Sequence, residues 1–280
     1  MTEAHSWLPQ SPCGPRCTGE PLADGLVDTV RALWRTTLAI MLFPAIPILA
    51  MPLPGRPHVQ RAYCRMMLRC LGVRITLSGG PIRNLRGVLV VSGHISWLDI
   101  FLVGAVMPGS FVARADLVDW PAVGVFARVL KVIPIERSNL RGLPEVVQAV
   151  AARLRAGQTV VAFPEGTTWC GQAYGPFRPA MFQAAIDAGR PVQPLRLSYH
   201  DRDGRLSTAP AFVGDESFGR SFRRVVATRR TVAHVHVEEL QSPASGRCPQ
   251  PGEHRRDLAR RCQAAVRGSL DLRGEHALAA

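Results

Sequence analysis

From Gly87 onward the chain alternates between short apolar runs and stretches of helical spacing. No other feature of the sequence limits the fold as much. The runs Val88–Val91, Ser110–Arg114, Val132–Glu136, Thr159–Phe163, Val192–Ser198 and Thr231–Glu238 have the length and β-branched content of strands. Between them, Trp97–Val106, Trp120–Leu130, Leu143–Ala156 and Pro179–Ala188 read as helices, the last two stopped by Gly157 and Gly189. Such alternation predicts an α/β fold, a mixed sheet covered by helices. With 280 residues the chain can bury a full core, so one large domain with extensions is expected.

Ahead of this region the pattern is different. Residues 1–30 are rich in Pro, Gly and acidic side chains and read as a poorly ordered leader. Within 31–74, twenty residues between Arg35 and Arg56 carry no charge. At about 1.5 Å per residue this run is long enough to cross a bilayer. Pro44, Pro47, Pro52 and Pro54 interrupt it, each removing a backbone donor. A kinked anchor, an element lying in the membrane interface and a buried core segment all fit. The flanking arginines favour the two membrane readings, and a membrane-associated helical segment is the expectation.

The formal net charge is +13, from 33 arginines, a single lysine (Lys131) and 21 acidic residues. A basic surface favours anionic partners such as lipid headgroups. Nucleic acid is not expected as a partner: no recognition motif accompanies the arginines, and aromatic residues are only 6% of the chain. The run "RSFRRVVATRR" reads as a solvated face or lipid contact, and residues 241–280 as a basic C-terminal helix and tail. Seven cysteines, an odd count without regular spacing, point to reduced thiols. Cys13 and Cys17 stand as C-x3-C, but no second pair has matching spacing, so no metal site is expected.

"VVSGHISWLDIF" places His94 at the end of an apolar run and Asp99 five residues later. On one regular helix these residues would sit about 140° and roughly 7.5 Å apart, too far to pair. They can meet if His94 lies in the loop leaving the strand and Asp99 in the first helical turn. Ser96, followed three residues later by Asp99, has the spacing of a capping box at such a helix start. A histidine held by a carboxylate can take a proton from a hydroxyl. Further along, "FPEGTT" puts Glu165, Gly166 and Thr167 in a turn directly after a strand, a usual ligand position in α/β folds. "PIERSN" puts Arg137 at another strand end, where a guanidinium can meet a phosphate.

These segments together resemble the glycerolipid acyltransferases, typified by bacterial 1-acylglycerol-3-phosphate acyltransferase. The family's H-x4-D, arginine, F-P-E-G-T and V-P-x-x-P-like elements stand here as His94–Asp99, Ile135-Glu136-Arg137, Phe163–Thr167 and Pro191-Val192-Gln193-Pro194. The resemblance covers about residues 75–215 and implies an acyltransferase domain over about 75–240. It implies His94 as general base with Asp99 orienting it, and Arg137, Glu165, Gly166 and Thr167 as acceptor-binding residues. It also implies an acyl-CoA or acyl-carrier-protein donor, a lysophospholipid acceptor, contact with membrane lipids at the cytoplasmic face, and no cofactor. Two departures from the family pattern stand out, and the second, a missing arginine, bears on the acceptor headgroup. Gly93 stands where asparagine is frequent, and Thr168 where phosphatidate-forming members often carry arginine. "FPEGTT" also resembles relatives that acylate lyso-ornithine lipid. Two readings of other classes remain open at this stage. The same His–Asp pair could activate water in a thioesterase, or the chain could be a non-enzymatic basic protein binding membranes or nucleic acid.

Overall fold

The computed structural model describes residues 8–18, 25–50, 55–82, 86–115, 131–136, 139–243 and 251–268. The expected helix at Trp120–Leu130 and the candidate Arg137 lie outside these residues. Seven strands form one sheet: β1 (Val73–Gly79), β2 (Leu89–Ser92), β3 (Ser110–Arg114), β4 (Ile133–Ile135), β5 (Val160–Ala162), β6 (Val192–His200) and β7 (Thr231–Val237). Their order is β1-β7-β6-β2-β5-β3-β4. All neighbours run parallel except β6 and β7, so β1 and β7 point opposite to the rest.

The helices are α1 (Leu26–Leu42), α2 (Ile46–Ala50), α3 (Arg56–Cys70), α4 (Leu98–Val106), α5 (Leu143–Arg155), α6 (Ala180–Ala188), α7 (Phe218–Ala227) and α8 (Pro251–Arg267). The central strands are apolar on both faces, as parallel strands covered by crossover helices must be. Val90, Val161 and Leu195 pack with α3, α4 and α7 on one side. Leu89, Val91 and Val160 pack with α5, α6 and α8 on the other. The expected mixed sheet covered by helices is the architecture observed, with a helical layer on each face.

The central strands and helices fall within a residue or two of their expected bounds, and Gly189 closes α6 in the left-handed conformation (φ 60°). Three elements were not foreseen. β1 is an edge strand that alternates apolar and polar residues and is mostly exposed. α3 buries Tyr63, Cys64, Met67 and Leu68, so the second half of the 31–74 segment belongs to the protein core. The arginine-rich run at 220–230 is largely α7, whose Val225, Val226 and Ala227 are buried, and not merely a solvated charge run. The leader also differs from expectation. Residues 8–18 pack against the domain, with Cys13 in the hydrophobic core and a 3-10 turn at Pro15–Thr18.

α1 is fastened to the domain through its arginines. Arg31 Nη1 donates to the Ala227 carbonyl (2.8 Å), and Arg35 donates to the carbonyls of Val226 (3.0 Å), Thr228 (2.6 Å) and Arg229 (3.1 Å). These are the unpaired carbonyls at the end of α7, where the helix dipole favours cations. Gly72 (φ 79°) leaves room for the clamp, because a Cβ there would fall 2.1 Å from Arg35 Cζ. The opposite face of α1 presents Leu26, Val30, Leu33, Trp34 and Met41 to the exterior. From Leu26 to Leu49 the chain is long and apolar enough to cross a membrane by length and composition, and only 17% of its apolar 18-residue window is buried. Most of this stretch is therefore not a buried core segment, although Ala39, Ile46 and Leu49 are buried in the core.

Candidate active site

β2, β3 and β5 run parallel, so their carboxyl ends lie on one edge of the sheet. His94 follows β2 and Glu165 follows β5 on that edge. The His94 loop turns directly into α4. Leu98 N–H donates to Ser96 Oγ (3.2 Å), and Ser96 N–H donates to Asp99 Oδ2 (2.9 Å). The carboxylate reaches back over the helix start as in a capping box, but Ser96 Oγ takes the Leu98 N–H, and the Asp99 N–H goes to the Ser96 carbonyl (3.0 Å).

Asp99 has no exposed surface. Its Oδ2 accepts from His94 Nδ1–H (2.9 Å) and from the backbone N–H of Ile95 (2.7 Å) and Ser96 (2.9 Å). Its Oδ1 accepts from the Tyr199 hydroxyl (2.5 Å). Four donors hold the buried charge in place of water. Burial and the neighbouring carboxylate raise the Tyr199 pKa well above its ordinary value, so the phenol stays protonated and keeps donating. The ring of His94 stacks on Phe163 with centroids 4.1 Å apart, and its side chain keeps 17% of its surface exposed. With Nδ1–H given to Asp99, the lone pair of the neutral ring is on Nε2, which has no hydrogen-bond partner among the described residues. This tautomer suits a general base.

Glu165 sits beneath the same loop. Its Oε2 accepts from His94 N–H (2.8 Å) and its Oε1 from Gly175 N–H (3.2 Å). The carboxyl is 3% exposed, and desolvation raises its pKa from 4.5 to about 8, against the opposing pull of the two backbone donors and Arg267. The structure thus places Glu165 under the histidine, with both oxygens already occupied by this chain. Gly166 makes the turn at φ 73°, closed by its N–H to Phe163 O (3.0 Å), and Thr167 is half-buried on the same turn. His94, Asp99, Glu165, Gly166 and Thr167 are therefore brought together.

Sequence reasoning missed three contributors. Tyr199 looked like an ordinary strand aromatic. The α8 residues Gln263, which accepts from Phe177 N–H (2.6 Å), and Arg267, which donates to Gly175 O, brace the Glu165 loop from the C-terminal helix. Only the alternation of Arg and apolar residues in α8 hinted at a packed helix. The Ile95 and Ser96 amides, close to the helix start, are spent on Asp99 and so are not oxyanion donors.

A family model described as "Acyltransferase" matches residues 74–198. A lyso-ornithine lipid O-acyltransferase of Pseudomonas aeruginosa is 32% identical over 218 residues, covering 78% of this chain and 80% of that protein. The chain belongs to the acyltransferase family. A second member of the acyltransferase family, the 1-acyl-sn-glycerol-3-phosphate acyltransferase of Neisseria meningitidis serogroup B, is 33% identical over 171 residues. The match covers 61% of this chain and 67% of the relative. The acyltransferase fold is shared with the crystal structure of the 1-acyl-sn-glycerophosphate (LPA) acyltransferase PlsC from Thermotoga maritima. That match has a TM-score of 0.59 at 19% identity, over 88% of this chain and 97% of that chain.

The raised pKa of Glu165 has a measurable sign. Between about pH 4.5 and about pH 8 the folded acyltransferase holds a proton that the unfolded chain has released. Its contribution to stability is therefore greatest at the acid end and falls as pH rises through that window. Urea or thermal denaturation at pH 5, 6, 7 and 8 should show wild type losing stability relative to Glu165→Gln as pH rises. Parallel profiles for the two proteins would contradict this.

Proposed function

We propose that this acyltransferase moves a fatty acyl group from acyl-CoA or acyl-carrier protein to the free hydroxyl of a lysophospholipid. The preferred acceptor is 1-acyl-sn-glycerol-3-phosphate, giving phosphatidic acid. One observation carries the reading: a partly exposed His94 ring whose Nδ1 is held by a buried Asp99, in a chain of this family. Nε2 takes the proton of the acceptor hydroxyl as its oxygen attacks the thioester carbonyl. Asp99 stabilises the imidazolium that forms. The tetrahedral adduct collapses with cleavage of the C–S bond, and the imidazolium returns the proton to the departing thiolate. The two substrates balance the reaction without a cofactor, and no serine or cysteine nucleophile enters it. Glu165 is assigned to holding the His94 loop, with Gly166 and Thr167 shaping the acceptor side and Arg137 meeting its phosphate.

A second reading takes lyso-ornithine lipid as the acceptor. The match to the Pseudomonas relative of that name extends over more of this chain than the match to the Neisseria protein. Thr168, where phosphatidate-forming members often carry arginine, turns its hydroxyl inward to the Phe212 carbonyl and offers no charge to a headgroup. A panel of lysolipids with one acyl thioester separates the two readings. His94→Ala should lower transfer by about 10² to 10⁴-fold while the protein stays folded. Arg137→Ala should raise the Michaelis constant about ten- to a hundredfold for a phosphate-bearing acceptor and far less for a zwitterionic one. Free acid released at an unchanged rate without acceptor would instead identify a thioesterase.

Membrane attachment at the cytoplasmic face belongs to the same proposal. The outward apolar face of α1 would sink into the interface while its arginine face stays on the domain. A cavity of about 850 Å³ beside it is lined by Trp34, Arg35, Arg65, Arg69, Arg229 and Arg230 among others, with no carboxylate in its wall among the described residues. Anionic headgroups are attracted to such a surface. Each large side chain buried in the interface contributes about 1.5 to 3 kcal/mol, so high salt alone should not release the protein. Replacing exposed Leu33, Trp34 and Met41 with glutamate leaves the Arg31 and Arg35 clamp intact and should shift the folded protein to the soluble fraction. Continued pelleting in high salt would place the anchor elsewhere.

A further inference from the structure

The fold gives Cys13 and Cys17 a third partner that their spacing did not announce. The sulfurs of Cys13, Cys17 and Cys170 lie within 4.8 Å of one another, although Cys170 is far away in sequence. All three are free thiols, Cys13 and Cys170 buried and Cys17 half-buried. We propose that these three cysteines form a zinc site that fastens residues 8–18 across the loop carrying Glu165.

The local structure aims the ligands. Cys17 N–H donates to Gly14 O (2.9 Å), Thr18 Oγ1 donates to Pro15 O (2.7 Å), and Cys13 N–H donates to Ser11 Oγ (3.2 Å). These bonds fold the C-x3-C segment into a tight turn with both sulfurs on one side. On the facing loop, Cys170 follows Trp169, whose N–H donates to His94 O (2.7 Å). Tetrahedral zinc with bonds of about 2.3 Å sets its sulfur ligands roughly 3.8 Å apart, a spacing these thiols reach with small movements. A disulfide would use two of the three sulfurs and leave the third beside it without a role. Zinc uses all three. On binding, each thiol gives its proton to solvent, no electrons move, and a water entering from the half-exposed Cys17 side completes the tetrahedron.

The strap that this site would hold lies on the acceptor side of the active site. A Cβ on Gly166 would fall 2.7 Å from Pro9 Cγ, so Pro9 rests directly on the F-P-E-G-T turn. Gly214 faces Gly14 and Cys13 O at 3.4 and 3.5 Å from its own Cβ position. Zinc at Cys13, Cys17 and Cys170 would therefore tie the strap to the segment that also fixes the His94 backbone.

The test uses the full chain, purified in detergent with its affinity tag removed, and reads the metal itself, so it stands apart from any assay of acyl transfer. Elemental analysis should find about one zinc per chain. Cys17→Ser, at the half-exposed position and least disruptive to folding, should lower bound zinc at least tenfold. Cys262→Ser, in a separate part of the core, should leave it unchanged. Cobalt in place of zinc should give thiolate charge-transfer absorption and the visible bands of a tetrahedral ion in wild type, both lost in Cys17→Ser. Chelator treatment should speed proteolysis within residues 8–18. Folded wild type that neither carries zinc nor gives the cobalt spectrum would overturn the proposal. So would full zinc retention by Cys17→Ser, or a disulfide joining any two of the three cysteines.

Discussion

The active-site edge of this protein is organised around one buried carboxylate. Removing Asp99 from water carries a penalty of several kcal/mol for an ion of this kind. The protein meets it with a ring N–H, two backbone N–H groups and a phenol, all within 2.5 to 2.9 Å. The same bonds set the conformation of residues 94–96, start α4 and choose the tautomer of His94. The H-x4-D spacing follows from that arrangement. A shorter interval would leave no loop for the two amides, and a continuous helix would turn the ring away from the carboxylate.

Around this centre the sheet topology does the gathering. β2 and β5 are hydrogen-bonded neighbours running the same way, so the loops after them meet although His94 and Glu165 lie far apart in sequence. The backbone N–H of His94 on Glu165 then joins the two loops, and α8 supports the second one through Arg267 and Gln263. On the other side, Trp97 donates to Ser221 (3.2 Å) and stacks on Phe222 of α7. The end of α7 in turn holds α1 through Arg31 and Arg35. A continuous set of packed elements therefore links the histidine to the apolar helix, which suits an enzyme that must meet a lipid acceptor.

The central strands, their helices and the His94–Asp99 pair were legible in the sequence because each rests on short-range patterns. Apolar run lengths, stop glycines and a capping box are all local. Elements defined by distant partners were not legible. β1 is mostly exposed, and its pairing with β7 makes it a strand. α7 was masked by its arginines, of which Arg224 is nearly buried against Glu216 and the Ala209 and Ala211 carbonyls. Tyr199 is one residue in a strand until β6 sets it against α4. Cys170 meets Cys13 and Cys17 only through the fold. Glu165 was legible as a site residue, but its orientation was not. F-P-E-G-T predicts a turn, and only the packed structure turns the carboxylate inward.

The central claim is that buried Asp99 fixes the proton of neutral His94 on Nδ1 and leaves Nε2 open as the base. Nitrogen NMR of ring-labelled protein, with the His94 signals assigned by their absence in His94→Gln, reads this directly. The account predicts an Nδ1–H tautomer in wild type, giving way to a mixture of tautomers when Asp99→Asn removes the ionic acceptor. A neutral ring carrying its proton on Nε2 in the wild-type protein would contradict it.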